Sequence, residues 1–188
     1  MTTLYLVRHG ETVDNVNQIM QGQTQGQLTE NGVRQAEQLA EEMCRVPIDV
    51  FVSSDLKRSM DTCRIIAQRH DKEIVTTPLL RERDWGGFTG RFIPSLKDEV
   101  WPDDIESLDE LLSRARRFLS FIKEEYPDKK VLAVGHGIIN KAVQAVYYNC
   151  EMKDITRMTN AEVRLLELKH DYRGFSKRGE TDKNFCIT

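Results

Sequence analysis

The residues able to do covalent chemistry fall in three short stretches: Arg8-His9-Gly10, Ser53 to Arg58, and Gly135-His136-Gly137. Arginine offers a planar fork of donors that matches phosphate oxygens and stays charged at working pH. Neutral imidazole is a nucleophile, and a covalent phosphohistidine divides one hard hydrolysis into two easier steps. Two arginines and two histidines brought together would suit an oxyanion carrying more than one charge. A carboxylate would need fewer cations, so phosphate is the expected ligand. Phosphoryl transfer also needs donors on the equatorial oxygens and a proton for the leaving group. Arg8, Arg58 and His136 are the expected donors and His9 the expected nucleophile. Glu82, in Leu80-Arg81-Glu82, is the leading proton donor, with Glu11, Asp84 and Glu106 as neighbouring carboxylates. Glycines on both sides of His136 leave room for a ligand to approach the backbone, at Gly137 in particular.

These residues can meet only if the intervening chain delivers them to one edge. Leu4 to Val7 has the length and composition of a buried strand and stops at Arg8. Residues 11–27 are polar and aperiodic, a long loop of the kind that is usually functional in a compact domain. Thr29 reads as the N-cap of a helix with Val33, Ala36, Leu39, Ala40 and Met43 on one face. A second strand spans 49–54, followed by a helix capped by Asp55 or Ser54 and presenting Met60, Cys63, Ile66 and Ala67 inward. Residues 73–77 are β-branched and read as a third strand. Residues 79–104 carry weak signals and read as a lid with little regular structure, packed by Trp85 and Trp101. Ser107 and Glu110 form a capping box before a strongly periodic helix through Ile122. Val131 to Val134 is a continuous apolar strand, Ile138 to Val146 a helix, and 163–168 a last strand.

Strands alternating with helices predict an α/β fold, a three-layer α/β/α sandwich with a mostly parallel central sheet. A single domain over 1–188 is expected, with a short lid around 83–106 and a loose tail at 170–188. In such sheets ligands bind beyond the carboxyl ends of the strands, where all three chemical stretches fall.

The net charge of −3 offers no basic footprint for nucleic acid or a membrane surface. No apolar run approaches the ~20 residues of a membrane span, and no basic lead precedes a long apolar region. A soluble, cytoplasmic protein is expected. The four cysteines, Cys44, Cys63, Cys150 and Cys186, never form C-x-x-C and are expected to be reduced and buried. His70 is expected at a helix C-terminus, where partial positive charge is favoured, and His170 on the surface.

At this level of detail the chain resembles a known family. Arg8-His9-Gly10-Glu11-Thr12, Asn15, Gln21-Gly22 and Leu28-Thr29-x-x-Gly32-x-x-Gln35-Ala36 follow the opening of the histidine phosphatase superfamily, the phosphoglycerate mutase-like proteins. Ser53 to Thr62, Leu80-Arg81-Glu82 and Val134-Gly135-His136-Gly137 follow in the family's order. The resemblance implies a phosphoglycerate mutase-like fold, His9 as the phosphorylated residue, and Arg8, Arg58 and His136 as the phosphate pocket. It also implies Asn15 as a phosphate contact, Gln21-Gly22 as part of the binding loop, and Glu82 as proton donor and then base. There are departures: Ile19 stands where phosphatase members often carry Arg, Gln25 and Gln27 where they often carry Asp and Pro, and Thr89-Gly90 where Glu-Gly is usual. Sixteen residues, Arg91 to Glu106, separate that turn from Ser107, a short lid. A mutase must shield its intermediate from water with a closing lid, so a short one favours hydrolysis.

The expected function is therefore metal-independent phosphomonoester hydrolysis, without a cofactor, on a phosphorylated small molecule or phosphoprotein. Phosphoglycerate mutase chemistry and a non-catalytic phosphate-binding module are the competing readings. A metal site on His9, His136 and Glu82 is disfavoured because two arginines would repel a divalent cation and no usual ligand spacing is present.

Overall fold

The computed structural model describes residues 1–169; the tail expected at 170–188, with His170 and Cys186, lies outside them. Ten principal elements follow in order: β1 (Thr2–Arg8), α1 (Val13–Val16), α2 (Glu30–Met43), β2 (Val50–Ser54), α3 (Lys57–Ala67), β3 (Ile74–Thr77), α4 (Leu108–Glu125), β4 (Lys130–Gly135), α5 (Gly137–Tyr148) and β5 (Val163–Leu168). The sheet order is β3-β2-β4-β1-β5. The first four strands in that order run parallel, and β5 joins β1 antiparallel at the edge.

Alternation along the strands creates the three layers. In β4, Val131 and Ala133 enter a cluster with Leu111, Ala115 and Phe118 of α4 and Ile139, Ala142 and Val143 of α5. Leu132 and Val134 face the opposite way, onto Leu39 and Met43 of α2 and Cys63 and Ile66 of α3. Because both faces are covered, β4 reads as a continuous apolar run rather than an alternating one. The capping boxes form as their sequences demand. Ser107 Oγ accepts from Glu110 N at 3.2 Å, and Glu110 Oε2 accepts from Ser107 N at 2.8 Å.

Three local expectations are corrected. The loop 11–27 contains α1, because Thr12 and Asn15 form a reciprocal capping box. The N-cap of α3 is Leu56, which has no side chain able to cap; Gln25 supplies the acceptor instead, taking Lys57 N at 2.9 Å. Asp55 is drawn away into a bidentate pair with Arg81, at 2.7 and 2.5 Å. Ser54 Oγ accepts the N–H of Leu56. Of the described cysteines only Cys63 is buried, its thiol pushed up to about 12 by burial; Cys44 and Cys150 sit at helix ends and are exposed. His70 does fall just beyond the C-terminus of α3, its N–H donating to Ala67 O at 2.9 Å; its ring lies tilted 5.1 Å from that of Phe51, and burial lowers its pKa.

The lid has three short 3-10 turns between 78 and 96 and no longer element before α4. Trp85 and Trp101 meet edge to face at 5.8 Å, with the Arg83 guanidinium over both rings. Backbone bonds from Met20 to Arg91 and from Ile93 to Gln18 tie the lid to the loop after α1.

The connections leave β1 and β4 on opposite faces: α2 follows β1 on one side, and α5 follows β4 on the other. A crevice therefore opens at the carboxyl ends of these neighbouring strands. Its floor requires backbone-to-backbone contact, since a methyl on Gly32 would overlap the Glu11 carbonyl oxygen and one on Gly10 the Gly32 oxygen. Gly32→Ala should lower stability by about 1–3 kcal/mol as an overpacked contact. Gly87→Ala, whose methyl meets Pro102 and Asp104 only at ordinary contact distances of 3.5–3.9 Å, should unfold near the parent's urea midpoint.

Candidate active site

His9 follows β1 directly. Its N–H donates to Gly135 O at 3.1 Å across the β1–β4 junction, and its carbonyl accepts from Ala161 N at 3.2 Å. The ring Nδ1 lies 2.7 Å from Gly10 O. A carbonyl can only accept, so neutral His9 carries its hydrogen on Nδ1 and keeps a lone pair on Nε2. Arg58 Nε donates to that Nε2 at 3.3 Å. Burial first, and then the Arg58 charge, hold the imidazole pKa well below its ordinary 6.5, against the opposing effect of the Gly10 bond.

His136 occupies the N-cap of α5, its ring centroid 5.0 Å from that of His9. Its Nε2 lies 2.9 Å from Ser54 Oγ and 3.2 Å from Ser59 Oγ. Ser54 Oγ already accepts from Leu56 N, which leaves its hydroxyl hydrogen to donate to the ring. Neutral His136 then bears its hydrogen on Nδ1, an atom buried without a protein partner. Burial and the Arg58 charge push this imidazole well below 6.5 too.

The two predicted arginines are buried beside these rings, and burial lowers each to about 10. Both stay protonated at neutral pH. Arg58 Nη2 donates to Gly22 O at 2.9 Å and Nη1 to Thr24 O, so the loop after α1 grips its guanidinium through carbonyls. Arg8 Nη1 donates to Met158 O at 2.6 Å, while its Nε is buried with no partner. Gly137, the first residue of α5, has an N–H outside the helix ladder. The next two N–H groups of that helix end on Glu82: Oε1 accepts from Ile138 N and Ile139 N, both at 3.1 Å. Arg83 N donates to the same oxygen at 2.9 Å. Oε2 accepts only Ile138 N, at 3.2 Å, and is the less committed oxygen. The other carboxylates considered are engaged elsewhere: Glu11 with Thr29, Glu106 with Arg114, and Asp84 with Gly86 N.

Asn15 faces the same crevice. Its Oδ1 accepts from Thr12 N and from Asn160 Nδ2, each at 3.2 Å, which turns its own NH₂ outward as a donor. Gln21 and Gly22 serve the scaffold in this arrangement: Gln21 Oε1 takes the Thr12 hydroxyl at 3.0 Å, and Gly22 offers its carbonyl to Arg58. The structure thus brings His9, Arg8, Arg58, His136, Gly137, Glu82 and Asn15 together.

Other contributors gave no sequence signal. Asn160 holds both Asn15 and the His9 carbonyl, the latter at 3.1 Å. Arg114 of α4 donates to the carbonyls of Leu79, Arg81 and Glu82 and so sets the strip that carries Glu82. Arg157 stands beside Arg8. The spacing of Arg114 within an amphipathic helix resembles any solvated face, and the stretch before β5 has no periodicity at all.

The centre therefore presents an unprotonated imidazole nitrogen and several convergent donors with no competing acceptor, which is the equipment to bind and attack a phosphoryl group. Residues 4–181 match the histidine phosphatase superfamily, branch 1. The chain belongs to that superfamily. It is 38% identical over 152 residues to a probable phosphoglycerate mutase, GpmB, of Proteus mirabilis, covering 73% of this chain and 71% of the relative. It is 38% identical over 141 residues to an uncharacterized phosphatase, PhoE, of Bacillus subtilis, covering 73% and 72%. Among solved structures, a mycobacterial glucosyl-3-phosphoglycerate phosphatase complexed with VO3 superposes with a TM-score of 0.82 at 26% identity, covering 88% of this chain and 92% of that one. This histidine phosphatase superfamily enzyme thus has both phosphatases and mutase-named proteins as neighbours, on the α/β phosphoglycerate mutase-like fold. Among the described residues no helix is long and apolar enough to cross a membrane, and no three His, Cys, Asp or Glu side chains form a metal cluster.

The neutral imidazoles have a measurable consequence. An unfolded histidine titrates near 6.5, so below that pH the unfolded chain binds more protons than the folded one, and stability falls as pH drops through this window. Lowering the pH from about 7.5 to about 5.5 should reduce the urea midpoint, and the reduction should be smaller in His9→Ala and His136→Ala. Ring NMR signals of an imidazolium at either position in the folded protein at pH 6 would contradict this picture.

Proposed function

We propose that this protein is a metal-independent phosphomonoester hydrolase working through a phosphohistidine on His9. The observation that carries the reading is the pairing of a lone pair on His9 Nε2 with unpartnered buried donors beside it, Arg8 Nε and His136 Nδ1. In the first step His9 Nε2 forms a bond to phosphorus as the bond to the substrate oxygen breaks. The leaving oxygen takes a proton from Glu82. Arg8, Arg58, His136, Asn15 and the Gly137 N–H stabilise the charge on the equatorial oxygens. In the second step Glu82 accepts a proton from water, the water oxygen bonds to phosphorus, and the phosphorus–Nε2 bond breaks, releasing phosphate and restoring neutral His9. No step calls for a metal, because the arginines already supply the positive charge a metal would bring. The expected substrate is a phosphorylated small molecule, in keeping with the name of the mycobacterial relative.

Transfer back to substrate, as in a mutase, is a second reading favoured by the identity to the mutase-named relative. The short lid and the open cleft beside Arg8 favour water as the acceptor. Isomerisation of 3-phosphoglycerate exceeding its hydrolysis would decide for the mutase.

Phosphate release from an aryl phosphate in excess chelator should persist in the parent and vanish in His9→Ala, whose circular dichroism should match the parent's. Activity surviving in His9→Ala would refute the mechanism. Glu82→Gln should lower kcat/KM by about 10²–10⁴ on alkyl phosphates and much less on aryl phosphates, whose leaving groups need little protonation. Equal losses on both would remove Glu82 from the role of acid.

A further inference from the structure

An open cleft of about 370 Å³ adjoins the buried centre, lined by Arg8, Asn15, Arg157, Met158, Thr159 and Asn160. Arg8 belongs to both spaces. One of its guanidinium nitrogens is spent on the Met158 carbonyl, and its Nε is buried without a partner. Arg157 comes from the connection between α5 and β5 and is exposed. Its Nε lies 3.6 Å from the position a methyl on Gly137 would occupy, and Arg8 Nε lies 3.6 Å from the same point. Two guanidinium groups thus flank the first residue of α5.

Nothing among the described residues neutralises Arg157. Asp154, the nearest carboxylate along the chain, forms no ion pair with it among the described residues, and Glu162, the next, is taken by Arg164 Nε at 2.8 Å and by Thr159 N at 2.6 Å. Repulsion from Arg157 is felt by both Arg8 and His9. A cation left unpaired on the rim of a cationic centre is unfavourable until an anion arrives. The transferred phosphate already has Arg8, Arg58, His136, Asn15 and the Gly137 N–H for its three equatorial oxygens. Arg157, exposed in the adjoining cleft, stands on the solvent side of these groups.

We propose that Arg157 forms a subsite for a second anionic group on the substrate, a carboxylate or phosphate a few bonds from the reacting phosphoester. The occupant's identity as a substrate rests on the hydrolase reading; the subsite itself does not. Arg157 is accordingly a specificity residue, and the preferred substrates are small molecules with two anionic groups.

Three compounds on one carbon skeleton test this: 3-phosphoglycerate with a carboxylate, glycerol 1,3-bisphosphate with a second phosphate, and glycerol 3-phosphate with neither. Arg157→Ala should lower kcat/KM about tenfold or more on at least one of the first two, the scale of a lost charge-assisted hydrogen bond, and within about twofold on glycerol 3-phosphate. Arg157→Lys should recover much of the loss by keeping the charge. The compound with the larger loss identifies the anion. Equal losses on all three, or none on any, would overturn the subsite.

Calorimetric binding of the same compounds to His9→Ala, with and without Arg157→Ala, separates the two claims. An Arg157-dependent preference for a dianionic pair of groups, without turnover in the parent, would retain the subsite and sink the hydrolase reading. Turnover in the parent with no such preference in either assay would do the reverse.

Discussion

Everything in the centre depends on how the carboxyl ends of β1 and β4 are held together. Their parallel register pairs Arg8 with Gly135, so the residues that follow, His9 and His136, emerge side by side. A slip of one residue would turn every side chain of one strand to the other face and part the two rings. The junction is secured from α5, whose Asn140 Nδ2 donates to Val7 O at 2.9 Å. Asn140 can sit there only because residue 135 is glycine; a methyl at that position would overlap its Oδ1. A buried asparagine and a glycine thereby fix the distance between nucleophile and donor more tightly than apolar packing alone could.

The second constraint is electrostatic. Arg8 and Arg58 are both buried, which weakens the proton affinity of each, and a neighbouring cation adds to the effect, Arg157 on Arg8 and Arg8 on Arg58. Backbone carbonyls of Gly22, Thr24 and Met158 satisfy several of the donors but bring no net negative charge. Glu82 is the carboxylate felt by both arginines. Burial first, and this excess of positive charge second, keep two adjacent imidazoles neutral. Neutrality is what the proposed chemistry needs, since a protonated His9 could not attack phosphorus. The same field that would draw in an anion therefore helps to keep the proposed nucleophile unprotonated.

Much of this was legible in the sequence because the chemical residues sit where periodic elements stop. Arg8-His9, Arg58 and His136 each end or follow an apolar strand, and parallel strands share an edge. Glu82 was legible from its motif, although its seat on the α5 N-terminus was not. Arg157 and Asn160 were hidden, because their loop reaches the centre only through the antiparallel addition of β5 beside β1, a long-range pairing without a local signature. Misreadings arose where a side chain had a better partner than its neighbours along the chain suggested. Asp55 prefers Arg81 to the helix it precedes, Gln25 caps that helix from a distance, and Cys44 and Cys150 follow the apolar period only as far as exposed helix ends.

The arrangement separates two tasks that a single pocket would confuse. The groups proposed to act on phosphorus lie in the interior, held by strand ends and a helix N-terminus, where rigid packing preserves geometry. The residues of the proposed subsite lie on an aperiodic connection at the rim, where Thr159 and Asn160 share a cleft with an exposed arginine. Asn160 joins the two regions, since one amide group orients Asn15 and holds the His9 carbonyl. Substitution at the rim can alter what is bound without moving His9, whereas any change at residue 160 must be felt at the nucleophile. On the proposed reading, selectivity is thus free to vary at Arg157 in a way that it is not three residues later at Asn160.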